Sequence, residues 1–457
     1  MNKFDIAIIG GGESGYFAAS QAADLGAKVC LIEKETLGGS FLNSGVFTLR
    51  KTLSALGFYP SSYSVKDLSD VNGELDAQKV FEKAETLKQA YSEKWATDLK
   101  GKGVHIEIGE GSLATAQKIE IKTPDGTELI SSEKIILAAG SEAKHPETIP
   151  FDDETICPLE KLGKCRELPE KVLIVDGGIQ GAEAASLIRI LGSKPFLCEQ
   201  NSRVLQDEDP EIMDFYEEQI RKKRLKVILN KRIVSIYKRG GEIDVSLDGG
   251  IKFPISKIFF GGIRAPRSET LNTQSLGIRL GEYEEVLTDE KMSTSTEGVF
   301  AIGSLTRQQR ITNLNYEEAK VAIYNCLGKS RSFKSDKIPS IIYSDPQIAS
   351  IGCHFDNAHH KGFRAIGGSS IIEGTNEDGT LVQKGLLKLT IDKETKKMIG
   401  AQVVDQNASE LMPILYLAIK KGLTLKDLSN LPFGIVESIK PIVNASRKIL
   451  NDLKASR

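Results

Sequence analysis

The 457-residue chain is most informative at first through what it does not contain. It has no run of about 18 apolar residues, which excludes a transmembrane helix on hydropathy. It has no excess of one charge. Sixty Lys and Arg stand against 62 Asp and Glu, a net of −2. That balance argues against a basic nucleic-acid-binding face and against a polybasic membrane anchor. Cysteine is scarce. Cys30, Cys157, Cys165, Cys198, Cys326 and Cys353 are six in all, with no CxxC or CxxxxC pair among them. They are too few and too scattered for a disulfide framework in a chain this long, and a reducing cytoplasm fits them best. Cys30 and Cys198 sit in apolar runs and read as buried thiols. Histidine is scarcer still: there are five, and the last is His360. The apolar stretch after Lys3 is interrupted by Asp5 and Glu13 and carries glycines at turn spacing, so it reads as part of the fold and not as a secretion signal. Wholesale disorder is excluded, because 40% of the residues are hydrophobic. At about 150 residues per domain the length suggests about three domains.

Glycine, by contrast, is abundant: 42 residues, or about 9% against an average near 7%. Many of them belong to an internal repeat. The segment FDIAIIGGGESGYFAASQAADLGAKVCLIEK, from Phe4 to Lys34, superposes without a gap on KVLIVDGGIQGAEAASLIRILGSKPFLCEQ, from Lys171 to Gln200. Gly12 falls on Gly178, Gly15 on Gly181, Gly26 on Gly192 and Glu33 on Glu199. Each copy reads as strand, glycine turn, helix, strand and acidic residue, the pattern of a dinucleotide-binding βαβ unit. The chemistry needs these residue types. A helix N-terminus offers amides and a positive dipole end to a pyrophosphate, and glycines let the backbone approach it. A carboxylate at the end of the second strand can accept bonds from a ribose hydroxyl. In the first copy Gly10, Gly12, Gly15 and Glu33 are the nucleotide-binding candidates. In the second they are Gly178, Gly181, Glu183 and Glu199.

The second copy departs from the fingerprint at one point: Asp176 stands where the first copy has Gly10. A carboxylate there is well placed to cap its own helix. It would also repel a pyrophosphate, at a cost of about 4 kcal/mol for unit charges about 4 Å apart at an effective dielectric near 20. The βαβ fold should survive, while its nucleotide site should be weak or empty. Any nucleotide it did take would be NAD, because Glu199 would clash with a 2′-phosphate.

Motifs beyond the repeat carry a family resemblance. Leu37-Gly38-Gly39 follows Glu33, and Ile135-Ile136-Leu137-Ala138-Ala139-Gly140-Ser141 reads as a returning strand and turn. Gly298-Val299-Phe300-Ala301-Ile302-Gly303 reads as a second flavin motif. Ile338-Pro339-Ser340-Ile341-Ile342-Tyr343, Ala349-Ser350-Ile351-Gly352 and Ile399-Gly400-Ala401 lie in the C-terminal third. With these, nearly the whole chain resembles the class I pyridine nucleotide–disulfide oxidoreductases, and within them dihydrolipoamide dehydrogenase. The resemblance implies an α/β fold with two Rossmann-like dinucleotide-binding domains and a C-terminal α+β interface domain. The segments would be 1–148 and 269–335 for FAD, 149–268 for an NAD-like domain, and 338–457 for the interface of a homodimer. It implies bound FAD, with Gly39, Gly111, Ala139, Gly140, Gly303 and Ser304 joining the first-copy residues. It also implies a pair between Arg50, standing for the family's Lys, and Glu183.

The same resemblance exposes losses. The family's redox disulfide is spaced CxxxxC, and here its two positions are Phe41 and Val46 inside an otherwise matching Gly38–Val46 run. Neither side chain can act as a nucleophile or be reduced. The family's C-terminal His base has no counterpart in 431–438, where Glu437 is a candidate relic of its supporting Glu. The family's Asp on the flavin ribityl chain becomes Ser304, and its Leu-Ala-His run becomes Ile311-Thr312-Asn313. Two functions remain open. One is a flavoprotein oxidising NADH through flavin alone. The other is a catalytically inactive homodimeric relative serving as a binding or scaffold subunit. An active dihydrolipoamide dehydrogenase is denied by the residues. The remaining features read structurally. His359-His360 is not at metal-ligand spacing, Glu74 to Lys102 with Trp95 is a helix, Asp207-Glu208-Asp209 before Pro210 is a helix start, and Lys420-Lys421-Gly422 is a helix end.

Overall fold

The computed structural model describes residues 3–43, 51, 77–146, 149–165, 167–262, 264–307, 312–334, 338–375, 381–432 and 439–455. They divide into two compact units. The first holds the described residues up to 168 together with 258–334, and the second holds 169–257 and 338–455.

The first unit is built on a seven-stranded sheet. Its order is His105–Ile108, Val29–Glu33, Lys3–Ile9, Gly126–Leu137, Lys118–Thr123 and Glu110–Thr115, with Val299–Ala301 also alongside Gly126–Leu137. Lys3–Ile9 runs parallel to both of its neighbours, and Glu110–Thr123 forms an antiparallel meander. The central strand reads as an unbroken apolar run because both of its faces are covered. Ile6 and Ile8 pack with Ala18, Ala19 and Ala22 of the helix Glu13–Asp24. Ala7 and Ile9 point the other way, into a second cluster with Cys30, Ile32 and Leu137. That alternation is the period of two expected of a strand. Small alanines on the inner face of the helix allow it to lie close to the sheet. The helix expected between Glu74 and Lys102 is Ala77–Gly101, and its Trp95 is buried.

In the second unit Lys171–Val175 pairs in parallel with Lys194–Cys198, which pairs in parallel with Lys226–Ile228. The helix Ile179–Ile190 makes the crossover. The expected helix start is present. Asp209 caps Pro210–Lys222, accepting from the amides of Glu211 at 3.0 Å and Ile212 at 3.4 Å. Residues 338–455 form an antiparallel sheet of five strands in the order Ser340–Ile342, Gln347–Gly352, Met398–Asp405, Leu381–Asp392 and Ala365–Thr375. One face of it, with Leu387, Leu389, Ala401 and Val403, packs on Leu411 and Leu415 of Ala408–Lys421 and on Ile442 and Ile449 of Lys440–Ala455. Gly422 ends the first of those helices at φ +65°, as its position after Lys420-Lys421 predicts. The fold class expected from the sequence is the one observed.

Candidate nucleotide site

Both copies of the repeat begin with the same hydrogen bond. Glu33 Oε2 accepts from the Gly11 amide at 2.6 Å, and Glu199 Oε2 accepts from the Gly177 amide at 2.8 Å. The acidic residue at the end of each second strand therefore fixes the glycine turn of its own unit. Glu33 Oε1 also accepts from the Glu35 amide at 3.1 Å, and Glu199 Oε1 accepts from Asn201.

The first turn needs glycine at two places. Gly10 has φ +110°, and a Cβ on it would overlap the carbonyl oxygen of Ala138, at the end of the neighbouring strand. A Cβ on Gly15 would overlap the carbonyl oxygen of Gly10, so helix and strand approach to backbone contact. Gly12, between them, is different. It precedes the helix in an extended conformation, makes no side-chain cap, and a Cβ there would find its nearest atom 3.7 Å away at Gly39. Gly38 donates its amide to the Gly11 carbonyl at 2.9 Å and brings Gly39 alongside Gly12. From the other side come Ala139 and Gly140, at the end of the strand Gly126–Leu137. Gly140 has φ +75°, and its Cβ position is 3.6 Å from Ser304 Oγ. Gly303 closes on the helix start, its Cβ position 2.5 Å from Ser14 Oγ. The structure thus brings Gly10, Gly12, Gly15, Glu33, Gly39, Ala139, Gly140, Gly303 and Ser304 to one place. Gly111 packs against the side chains of Ile32 and Ile9, 3.1 and 3.3 Å from its Cβ position.

Four residues of this site were missed by sequence reasoning. Glu318 is buried and accepts from the Gly303 amide at 2.7 Å. Arg307 pairs with Glu318 and donates to Asn315 Oδ1 at 2.7 Å. Asn315 Nδ2 donates in turn to Oε2 of Glu13, a buried carboxylate in the first turn of the first helix, at 2.8 Å. Nothing in a single sequence links residue 13 to residue 315.

The second turn holds Asp176 where the sequence places it. Its Oδ1 accepts from the Gly178 amide at 2.8 Å and its Oδ2 from the Gly181 amide at 3.0 Å. It caps its own helix, as expected. Burial pushes its carboxyl up to about 6, with the charge of Glu199 adding to the effect and the two amides opposing it. The comparison of equivalent positions is direct. A Cβ on Gly12 would meet Gly39 only at an ordinary van der Waals distance of 3.7 Å, while a Cβ on Gly178 would lie 2.9 Å from Asp176 Oδ1. Glu183 is buried and accepts from the Tyr343 amide at 2.9 Å. Arg50, its expected partner, lies outside the described residues.

Phe41, at the first lost cysteine position, belongs to the short helix Gly39–Asn43. Its ring stacks on Trp95 with centroids 6.0 Å apart, and Trp95 stacks on Tyr16 at 4.2 Å. The Tyr16 hydroxyl donates to Asp98 at 2.8 Å. The three rings form an aromatic column. Val46 and Glu437 lie outside the described residues, as does the 433–438 part of the segment expected to have lost its base. None of the six cysteines, all of them described, is in a disulfide. Burial pushes the thiols of Cys30 and Cys198 up to about 12 and about 11, and neighbouring carboxylates add to it. Among the described residues there is no group of three metal-binding side chains, and no helix is long and apolar enough to cross a membrane.

The pyridine nucleotide-disulphide oxidoreductase model matches residues 4–325. The chain belongs to this family. The family's dimerisation-domain model matches residues 338–434. The chain is 28% identical to the dihydrolipoyl dehydrogenase of Thermus scotoductus over 471 residues, covering 99% of this chain and 100% of the relative. It is 27% identical to that of Vibrio parahaemolyticus, covering 93% and 91%. It is 25% identical to the mercuric reductase of Staphylococcus aureus, covering 93% and 79%. Two solved structures share the fold. LpdA from Mycobacterium tuberculosis has a TM-score of 0.86 at 21% identity, covering 98% of this chain and all of that one. The flavoprotein disulfide reductase RclA from Escherichia coli, as its Cu(II) complex, has a TM-score of 0.85 at 20% identity, with the same coverage. The chain is a dihydrolipoamide dehydrogenase-like member of its family, and the expectation of a C-terminal dimerisation domain holds.

Proposed function

We propose that this protein binds FAD at the first turn and passes electrons through flavin alone, without dithiol–disulfide exchange. The supporting observation is the glycine turn Gly10–Gly12, with Gly39 beside Gly12 and Glu33 on the Gly11 amide, at the N-terminus of a helix whose dipole favours a pyrophosphate. Bound FAD would supply a two-electron acceptor for hydride from NADH and an outlet to a quinone, dioxygen or a redox protein. Phe41 and Trp95 would wall that site and keep thiols out. Residues 338–457 would form a homodimer, and the scarcity of cysteine favours a cytoplasmic protein.

A second reading is favoured by Asp176. With the Gly178 and Gly181 amides already satisfied by its carboxylate, NADH would find no anion site in the second copy. The chain would then be a catalytically inactive, FAD-bearing scaffold. The visible spectrum of purified protein, before and after anaerobic NADH, separates the two. A flavin band that bleaches supports electron transfer. A band indifferent to NADH supports the scaffold. A colourless protein that takes up no FAD defeats the first proposal.

The lost thiols carry their own prediction. Phe41→Cys with Val46→Cys restores a CxxxxC pair, yet the double variant is expected to show no turnover of lipoamide above background. The last His of the chain is His360, so the interface domain beyond it has none to serve as general base. Lipoamide reduction at enzyme-like rates by the double variant would show that another group supplies the base.

A further inference from the structure

We propose that residues 205–209 form a proton-operated strap that ties the second glycine turn to the five-stranded sheet, with Glu208 as the group that takes the proton. The strap has two ends. At one, the Leu205 amide donates to the Gly177 carbonyl at 2.8 Å, in the turn that carries Asp176. At the other, two consecutive residues rest on the sheet. Ser350 Oγ donates to Glu208 Oε1 at 3.5 Å, and Lys388 Nζ donates to Asp209 Oδ1 at 3.0 Å. Between the ends the chain turns sharply. The Glu208 amide donates to the Leu205 carbonyl at 3.0 Å, and the buried Leu205 has φ +49°, uncommon for any residue but glycine. A backbone in that region persists only while its surroundings hold it there.

The anchor under Glu208 is a row of polar side chains. Strand register sets Ser350 and Lys388 on either side of Gln402. The three therefore share one face, opposite to Leu387, Leu389, Ala401 and Val403. Glu208 rests on one end of the row and Asp209 on the other, with Gln402 between. Gln402 is fully buried, and among the described residues neither atom of its amide has a hydrogen-bond partner. Nor does Glu208 Oε2, which is shut off from solvent. Polar atoms buried in this way are satisfied by water held between them.

The charges around Glu208 decide its state. Lys388, the cation of the row, is already shared by Asp209 and by Glu211, 3.2 Å away in the helix Pro210–Lys222. Asp207 and Asp209 flank Glu208. His354, near Asp209 and beyond the end of the strand Gln347–Gly352, has Lys361 and Asp356 around it, and burial holds its imidazole below its ordinary value. Burial pushes the Glu208 carboxyl up to about 7, and the two aspartates add to this against the Ser350 hydroxyl. With its proton, Glu208 has a donor at Oε2 for the water that bridges to Gln402. Without it, a buried carboxylate lies between two like charges with no cation of its own, and solvent is the better place for it. Its departure pulls the strap from the sheet.

The test is amide hydrogen exchange of the full-length protein, corrected for the intrinsic effect of pH and read in the peptide from Leu205 to Met213. In the open strap the carboxyl has its ordinary value of about 4.3. The folded value is raised, so closure is strongest below about 4.3 and weakens as pH rises to about 7, by up to about tenfold per unit. Wild-type protection of this peptide is expected to fall by about 10- to 100-fold from pH 5 to pH 7, while the strand Met398–Asp405 stays protected. Glu208→Gln, a permanently neutral stand-in, should keep the protection and lose the slope. Glu208→Ala should lose both. Asp176→Asn should keep the slope, which separates the strap from the other carboxyl of this region. Protonation of His354 would act in the opposite direction, with protection rising with pH. A flat or rising wild-type profile overturns the proposal. So does a slope that survives in Glu208→Gln or vanishes in Asp176→Asn, and so does an equal fall in Met398–Asp405, which would be unfolding of the whole unit.

Discussion

Replacing Asp176 with glycine is expected to raise NADH affinity by about two to three orders of magnitude. The carboxylate does two things that a pyrophosphate would contest. It occupies the Gly178 and Gly181 amides, and it places a negative charge at the helix start. Two like charges about 4 Å apart cost about 4 kcal/mol at an effective dielectric near 20, and every 1.4 kcal/mol is about tenfold in binding. Glycine removes the charge and returns both amides. It also removes a cap, so the helix Ile179–Ile190 should lose a few tenths of a kcal/mol. The wild type carries the same switch in its pH dependence. The Asp176 carboxyl sits near 6, raised by burial and by Glu199. Above that value it is ionised and repels the ligand; below it the neutral acid neither repels nor competes well for amides. NADH binding to the wild type should therefore strengthen as pH falls from 7 toward 5, and Asp176→Gly should lose that slope. Fluorescence titration with NADH across this range measures both effects. Glu199 remains in the variant, so NADH should still be preferred over NADPH. An affinity unmoved by the substitution would mean that something other than Asp176 closes the second site.

This contrast between the two copies was legible in the sequence because it is local. A constant register over thirty residues places Asp176 on Gly10, and the chemistry of a carboxylate at a helix start follows without coordinates. The helix ends at Asp209-Pro210 and Gly422 were legible for the same reason: capping is decided within a few residues. The loss of the thiol at position 41 could be read as well, but not what replaced it. That Phe41 stacks on Trp95, and Trp95 on Tyr16, depends on helices far apart in sequence. The network of Glu13, Arg307, Asn315 and Glu318 was hidden more deeply. In the sequence Glu13 is merely a charge interrupting an apolar run, and Arg307 is one of many surface-type cations. Only the fold, which lays the helix Thr312–Cys326 against the first helix, makes them neighbours. Glu33 was expected to face a ribose, and the structure adds that it holds the Gly11 amide. One carboxylate can shape the turn and remain an acceptor, because each oxygen carries two lone pairs.

The converse substitution, Gly12→Asp, should abolish FAD binding while leaving the protein slightly more stable. Position 12 precedes the first helix at φ −70° and ψ −174°, an extended conformation that any residue adopts, and makes no side-chain cap. Outside its chain neighbours, the nearest atom to a Cβ placed there is Gly39 Cα at 3.7 Å, an ordinary contact, so the backbone accepts a Cβ. An aspartate at this position can cap the helix, worth a few tenths of a kcal/mol over glycine. For the cofactor the same side chain is doubly adverse. It fills the space left for the pyrophosphate and sets a charge against it, about 4 kcal/mol of repulsion, or about a thousandfold in affinity. The first copy would then be closed much as Asp176 closes the second. The opposite signs give the prediction its force. Damage to the fold would lower the melting temperature of the flavin-free protein and flavin content together. The expected result is an equal or higher melting temperature for the flavin-free variant compared with flavin-free wild type, in a colourless protein. Flavin retained at wild-type levels would place the cofactor elsewhere than at this helix start. Gly12→Ala, which adds bulk without charge, should fall between the two and divide the loss into its steric and electrostatic parts.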